Sequence, residues 1–270
     1  MRAYTSMLAA ALICLPVAAS ADGMAQSACC TNDTVYSRII FSGGEIAKKE
    51  WEGYTGTIFA LNRDLSKDGF LVRMMGSYGE YSYDNSSAGA GSFDGRSWQG
   101  DVMLGYQWVR DRVDIGLYAG VDYIDHKIKP NDPTNPVSGN ETGFKFAGDI
   151  ETKTWELNLP YYFGLEGSYS TAFDTYYLLG RAGLNRNNVI FGVEGWLLGD
   201  ETGDAQRLGG FVMWERNLRP DVLTEVTLAG GYQFVDNDGT KCGTFFGSEG
   251  GYATVNVAFK FGETRARPLK

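Results

Sequence analysis

Residues 98–108, WQGDVMLGYQW, decide the fold. Trp98, Gly100, Val102, Leu104, Tyr106 and Trp108 fall on one side of a period of two. Gln99, Asp101, Met103, Gly105 and Gln107 fall on the other. Strict alternation of this length marks a β-strand with one greasy and one wet face. The two tryptophans end the greasy face. At ~3.3 Å per residue and ~40° of tilt, the run between them rises roughly 25 Å, the height of the apolar band between the aromatic girdles of a membrane barrel. In a soluble barrel the greasy face would point inward and charge would cover the outside. Here the wet face carries Gly, Asp and Gln, which suits a hydrated lumen.

The pattern continues on both sides. Arg110-Asp111-Arg112 makes a tight turn into Val113–Tyr123, where Val113, Ile115, Leu117, Ala119, Val121 and Tyr123 oppose Asp114, Gly116, Tyr118, Gly120 and Asp122. Near the end of the chain Ala253, Val255, Val257, Phe259 and Phe261 alternate with Tyr252, Thr254, Asn256, Ala258 and Lys260. Less regular strand candidates are 36–43, 53–61, 69–81, 143–151, 161–170, 175–184, 189–198, 207–214 and 223–235. Together they predict about 12 strands in an all-β, antiparallel, up-and-down transmembrane β-barrel. An even count places both termini on the periplasmic side. The connections 82–97, 124–142, 199–206 and 236–250 are read as loops facing the medium. The connections 63–68, 110–112, 185–188 and 217–221 are read as short periplasmic turns. Only 151–160 is long for a periplasmic turn.

Composition agrees. The chain has 36 glycines, 16 tyrosines and 15 phenylalanines but 7 prolines, which favours strands and tight turns. No stretch beyond the first residues approaches the length of a membrane helix. The net charge of −9 argues against a nucleic-acid partner, whose phosphates need a basic surface. Residues 1–21 have the form of a Sec signal peptide: Arg2, the apolar run Met7–Ala18, and Ala19-Ser20-Ala21 for cleavage. Residues 22–34 are expected to form a flexible N-terminal segment, 35–261 the outer-membrane barrel, and 262–270 a polar C-terminal tail. Cys29, Cys30 and Cys242 remain after cleavage; an odd number forms no full disulfide framework, and no spacing suggests a metal.

Several segments resemble a known family. They include Ala60-Leu61-Asn62-Arg63-Asp64-Leu65, Asp68-Gly69-Phe70-Leu71-Val72-Arg73, Trp98-Gln99-Gly100-Asp101 and Gly105-Tyr106-Gln107-Trp108. Further on come Gly120-Val121-Asp122-Tyr123 with Asp125-His126, and Asn131-Asp132-Pro133. The most distinctive is Gly167-Ser168-Tyr169-Ser170-Thr171-Ala172-Phe173-Asp174-Thr175-Tyr176. Asp204-Ala205-Gln206-Arg207-Leu208-Gly209-Gly210-Phe211 and Gly230-Gly231-Tyr232-Gln233-Phe234 complete the series. Over about Phe41–Phe261 the chain resembles the cellulose biosynthesis protein BcsS family of bacterial exported proteins. The resemblance implies a role in making or exporting cellulose at the envelope, with cellulose (a β-glucan) and its export machinery as partners. It brings no catalytic residues.

Residue chemistry supplies the site candidates. Arg73, Asp101, Asp114, Tyr118, Asp122, Glu166, Arg181 and Glu194 are expected to face the lumen, with the arginines neutralising carboxylates that would otherwise be buried. Paired carboxylates could also serve glycoside hydrolysis. Tyr118 and Tyr162 could stack on sugar rings. His126, the only histidine, is read as a surface-loop residue, because neither a G-x-S-x-G nor an orienting third group accompanies it. Loop 124–142, with Pro130, Pro133 and Pro136, is long enough to fold over the mouth. Its Asp125, Asp132 and Glu141 match no calcium-loop spacing. No cofactor motif is present. The expected function is a non-catalytic accessory barrel; the alternatives are an outer-membrane lipid- or glucan-modifying enzyme and a general porin.

Overall fold

A computed structural model describes residues 30–84, 92–235 and 248–268. The signal-peptide reading, Cys29 and Cys242 lie outside the described residues, as do parts of the 82–97 and 236–250 connections. The described chain forms twelve antiparallel strands: β1 Cys30–Ala47, β2 Glu50–Ala60, β3 Gly69–Asp84, β4 Ser92–Val109, β5 Val113–Lys129, β6 Gly139–Thr152, β7 Tyr161–Ser170, β8 Tyr176–Arg186, β9 Val189–Asp200, β10 Gly203–Arg219, β11 Val222–Val235 and β12 Gly250–Pro268. Each pairs with its sequence neighbours, and β1 pairs with β12, so the sheet closes into a barrel without an edge.

The outside is apolar across the middle of the strands. Val102 and Leu104 on β4 are more than half exposed, as are Leu117 on β5 and Phe144 on β6. Aromatic rings bracket this band. Trp51 packs against Tyr78 and Trp98 against Tyr123 at one end, with centroids 5.6 and 5.5 Å apart. Phe70 meets Tyr106 at 5.1 Å and Tyr106 meets Trp108 at 4.9 Å at the other. Trp98 and Trp108 thus stand in opposite girdles. An outer surface of this kind is stable against lipid and costly against water.

Inward tyrosines fill the space above neighbouring glycines. A β-carbon on Gly105 would collide with the Tyr118 ring, and one on Gly95 with the Tyr81 ring. Glycine at these positions lets a ring lie flat on the adjoining strand, which ties the high glycine content to the high tyrosine content.

Most of the strands are longer than the sequence pattern predicts. β3, β4 and β5 run on past Tyr78, Trp98 and Tyr123 toward the medium. Most of the predicted 124–142 loop is strand, and its connection shrinks to 130–138. The predicted loop 199–206 shrinks to Glu201 and Thr202. The polarity of the two faces exchanges above the girdle, so a search for a greasy outer face loses the strand there. Glu80, Arg96 and Lys127 point outward as direct cross-strand neighbours. Tyr81, Tyr83, Phe93 and Ile128 point inward and form one buried cluster. At the other end β1 and β12 remain paired from Cys30↔Pro268 onward. The ladder therefore enters both segments expected to be a lead-in and a tail, because each supplies the other's backbone partners.

Candidate functional site

The barrel interior holds the polar chemistry. All eight candidate residues sit on the inward register: Arg73, Asp101, Asp114, Tyr118, Asp122, Glu166, Arg181 and Glu194. They do not converge on one point. They join side chains from distant strands in three tiers.

In the tier nearest the medium, Arg207 on β10 reaches across the interior. Its two terminal nitrogens donate to Glu45 on β1 at 2.9 Å each, and one also donates to Glu50 on β2 at 3.0 Å. Its Nε donates to Gln233 Oε1 at 2.6 Å. Its guanidinium lies over Trp196 and Tyr252, 5.9 and 5.2 Å from the ring centroids. Arg207 is the first residue of the expected 207–214 strand, where alternation alone does not fix its face, and in the structure it lies well inside β10. The outward Leu208 beside it was the available signal.

In the middle tier, Glu194 accepts from Arg181 Nε at 2.9 Å, from the Tyr252 hydroxyl at 2.9 Å and from Trp196 Nε1 at 3.0 Å. Lys145 on β6 donates to Asp101 on β4 at 2.7 Å, with both side chains almost fully buried. Asp122 stands directly opposite Asp101. It accepts from Ser170 Oγ at 2.8 Å and Gln99 Nε2 at 3.1 Å. Like charges in direct cross-strand pairs are destabilising. Each carboxylate of this pair has its own donor, which offsets the repulsion. Glu166 remains exposed although it faces inward, and Arg73 is half-buried over the Tyr118 ring. Water-accessible space therefore exists inside the barrel at this height.

In the periplasmic tier, Asp114 pairs with Lys153 at 3.3 Å, and the Tyr162 hydroxyl donates to Glu151 at 3.0 Å. The long 151–160 connection has a structural reason. Trp155 packs against the cluster of Tyr162, Ile190, Phe211 and Met213, so this segment folds into the barrel end. The β2–β3 turn folds in likewise: Leu65 packs on Leu71, Met103 and Tyr118, and Gln107 Nε2 donates to the Leu65 and Lys67 carbonyls. Asp68, in that turn, is held below the usual carboxylate range by the Val109 N–H and by Arg110.

One expectation changes. His126 is a buried inward residue of β5 and not a surface-loop residue. Its ring meets the Tyr81 hydroxyl at 3.2 Å and stands edge-on to Phe173 at 5.4 Å. Alternation along β5, continued past Tyr123, turns it inward. Tyr118 and Tyr162, both inward as expected, are buried in packed clusters. Asp132 and Glu141 have local partners: Asp132 accepts from Thr134 and Tyr83, and Glu141 from the Phe173 N–H.

The 130–138 connection closes down on the mouth. Val137 and Asp132 are fully buried. Tyr83 ties the segment to β3, donating to Asp132 Oδ2 and accepting from Asn135 Nδ2, both at 2.9 Å. Val137 joins Ile124, Ala172 and Phe173 in one cluster. Phe173 and Asp174 adopt left-handed backbone conformations in the β7–β8 turn, and the Phe173 N–H donates to Glu141.

The family model for cellulose biosynthesis protein BcsS matches residues 39–261, from β1 to the outward phenylalanines of β12. The chain belongs to the BcsS family. The match ends at Phe261, so the last paired residues of β12 lie beyond it. No curated protein matches the chain by sequence. Among solved structures, this BcsS-family chain is similar to the transport unit of the autotransporter AIDA-I from Escherichia coli. The identity there is 8%, over 84% of this chain and 90% of that one, with a TM-score of 0.44. It is also similar to the β domain of the Bordetella autotransporter BrkA, at 11% identity over 84% and 99% of the two chains and a TM-score of 0.43. A third is the CymD monoaromatic hydrocarbon channel, at 8% identity over 86% and 89%, with a TM-score of 0.39.

Proposed function

We propose that this barrel is a non-catalytic outer-membrane component of bacterial cellulose production, exported by a Sec signal peptide. It serves the export of β-glucan or anchors the machinery that exports it, and so contributes exopolysaccharide to the biofilm. Family membership over residues 39–261 carries the reading. The interior supports its non-catalytic part. Asp101, Asp122 and Glu194 each bind fixed neighbours, and His126 is buried against Tyr81 and Phe173. A general base must reach its nucleophile and be oriented by a third group.

One observation favours a second reading, a general porin: Glu166 is exposed inside the barrel. A porin would carry a steady current in a planar bilayer. The test of the first reading is deletion of the gene, with cellulose measured separately outside the cells and in the periplasm. The proposal expects extracellular polymer to fall while total synthase activity holds. Unchanged pools in both compartments would overturn it.

A further inference from the structure

Charge is distributed unequally between the two rims. Arg63, Arg112, Arg186, Arg216 and Arg219 are all exposed and stand on or beside four of the turns at the periplasmic end. Among the described residues, none of the five has a carboxylate within ion-pairing distance. The neighbouring Asp64 and Asp68 are already bound, to Lys67 and Arg110. At the opposite rim Lys49, Arg96 and Lys127 each contact a carboxylate. Exposed carboxylates are common there, among them Asp94, Asp174 and Glu201. In a chain with a net charge of −9, the exposed guanidinium groups without a carboxylate partner thus all stand, among the described residues, at one end.

Their positions indicate what they meet. Arg216 follows Trp214 by two residues on the outward register of β10, and Arg186 follows Leu184 in the same way on β8. Arg112 lies in the turn that follows Trp108. Arg38, at the same end, stacks over Phe261 at 5.0 Å. The arginines therefore lie at the depth where an aromatic girdle gives way to headgroups. They are spread over the turns β2–β3, β4–β5, β8–β9 and β10–β11, and so around the barrel. A docked protein would cover one side, whereas a lipid leaflet surrounds the whole circumference. A planar guanidinium matches phosphate oxygens in a two-pronged geometry that ammonium does not offer.

We infer that this arginine ring binds the phosphates of anionic phospholipids in the periplasmic leaflet. The inference rests on the membrane-spanning fold and is independent of any role in cellulose production.

The test uses the full mature chain in vesicles of phosphatidylcholine mixed with phosphatidylglycerol. Spin-labelled lipids report which headgroup is enriched next to the protein. The expected result is phosphatidylglycerol enriched several-fold over phosphatidylcholine around the wild type. The enrichment should disappear in the combined variant R112Q/R186Q/R216Q/R219Q and be only partly kept when the same four become lysine, which restores the charge without the two-pronged geometry. A K127Q/K129Q variant, altered at the other rim, should retain it. Heat-modifiable gel mobility shows that each variant has formed its barrel. Added inorganic phosphate should leave the enrichment in place, because the free ion gains nothing from the adjoining aromatic band; displacement by it would overturn the lipid assignment. Equal association of both lipids with the folded wild type would also overturn it, and would leave the ring to an acidic protein partner.

Discussion

The same three strands, β3, β4 and β5, behave in opposite ways on the two sides of one aromatic girdle. Below Tyr78, Trp98 and Tyr123, their outward residues are Val102, Leu104 and Leu117, and their inward ones include Arg73, Asp101 and Asp122. Above it, the outward residues are Glu80, Arg96 and Lys127, and the inward ones are Tyr81, Tyr83, Phe93 and Ile128. The backbone period never changes; only the solvent outside does. Lipid requires an apolar exterior and leaves polar groups to pair within. Water allows a charged exterior and drives apolar side chains into a core. The upper part of the barrel is thus organised like a small soluble barrel stacked on a membrane one, and the 130–138 segment and Phe173 cap it.

This contrast can be broken at either level. The largest effect is expected for Lys145→Ala in the membrane level. It would leave Asp101 buried and uncompensated, at a cost of about 3–5 kcal/mol, read as loss of folding stability in urea titrations of the vesicle-embedded barrel. Phe93→Ala tests the soluble-like level: emptying that core should cost about 3 kcal/mol or somewhat more. The outward Phe144, which is 67% exposed, should tolerate alanine far better. Leu104→Arg, at mid-bilayer, should cost about 2–4 kcal/mol, whereas Lys127→Leu above the girdle should change stability by less than about 0.5 kcal/mol. Equal penalties at the two positions would remove the distinction. Tyr83→Phe, which releases Asp132 and Asn135, should cost about 1 kcal/mol and raise hydrogen exchange selectively in 130–138. The smallest effect concerns the periplasmic turn. Asp68 has a depressed pKa when folded, so its contribution is present above the ordinary carboxylate range and lost as pH falls through the folded value. Exchange of the Val109 amide should rise in acid, and Asp68→Asn should abolish that dependence.

The membrane level was legible in the sequence and the upper level was not. From Trp98 to Trp108 the alternation, its length and its two tryptophans point to one answer, and the twelve-strand count follows from repeating that test. The same test fails on Tyr81–Asp84 and on His126–Lys129, where a greasy residue means inward. His126 was misplaced for this reason. Inward candidates such as Asp101 and Glu194 could be named because a period of two fixes their side of the sheet. Their partners could not be named, because Lys145–Asp101 and Arg207–Glu45 join strands that are not neighbours. Such contacts depend on how the barrel closes, which no local pattern contains.

The most direct test of this account is a lipid-exposure profile along the outward positions of β4. With the native cysteines replaced by serine, single spin labels would be placed at Asp94, Arg96, Gly100, Val102 and Leu104 in vesicles. Their collision rates with an apolar and a water-soluble relaxant would then be compared. The account predicts water contact at Asp94 and Arg96, lipid contact at Gly100, Val102 and Leu104, and the crossover at Trp98. Lipid contact continuing through Arg96 and Asp94, or water contact at Leu104, would contradict it.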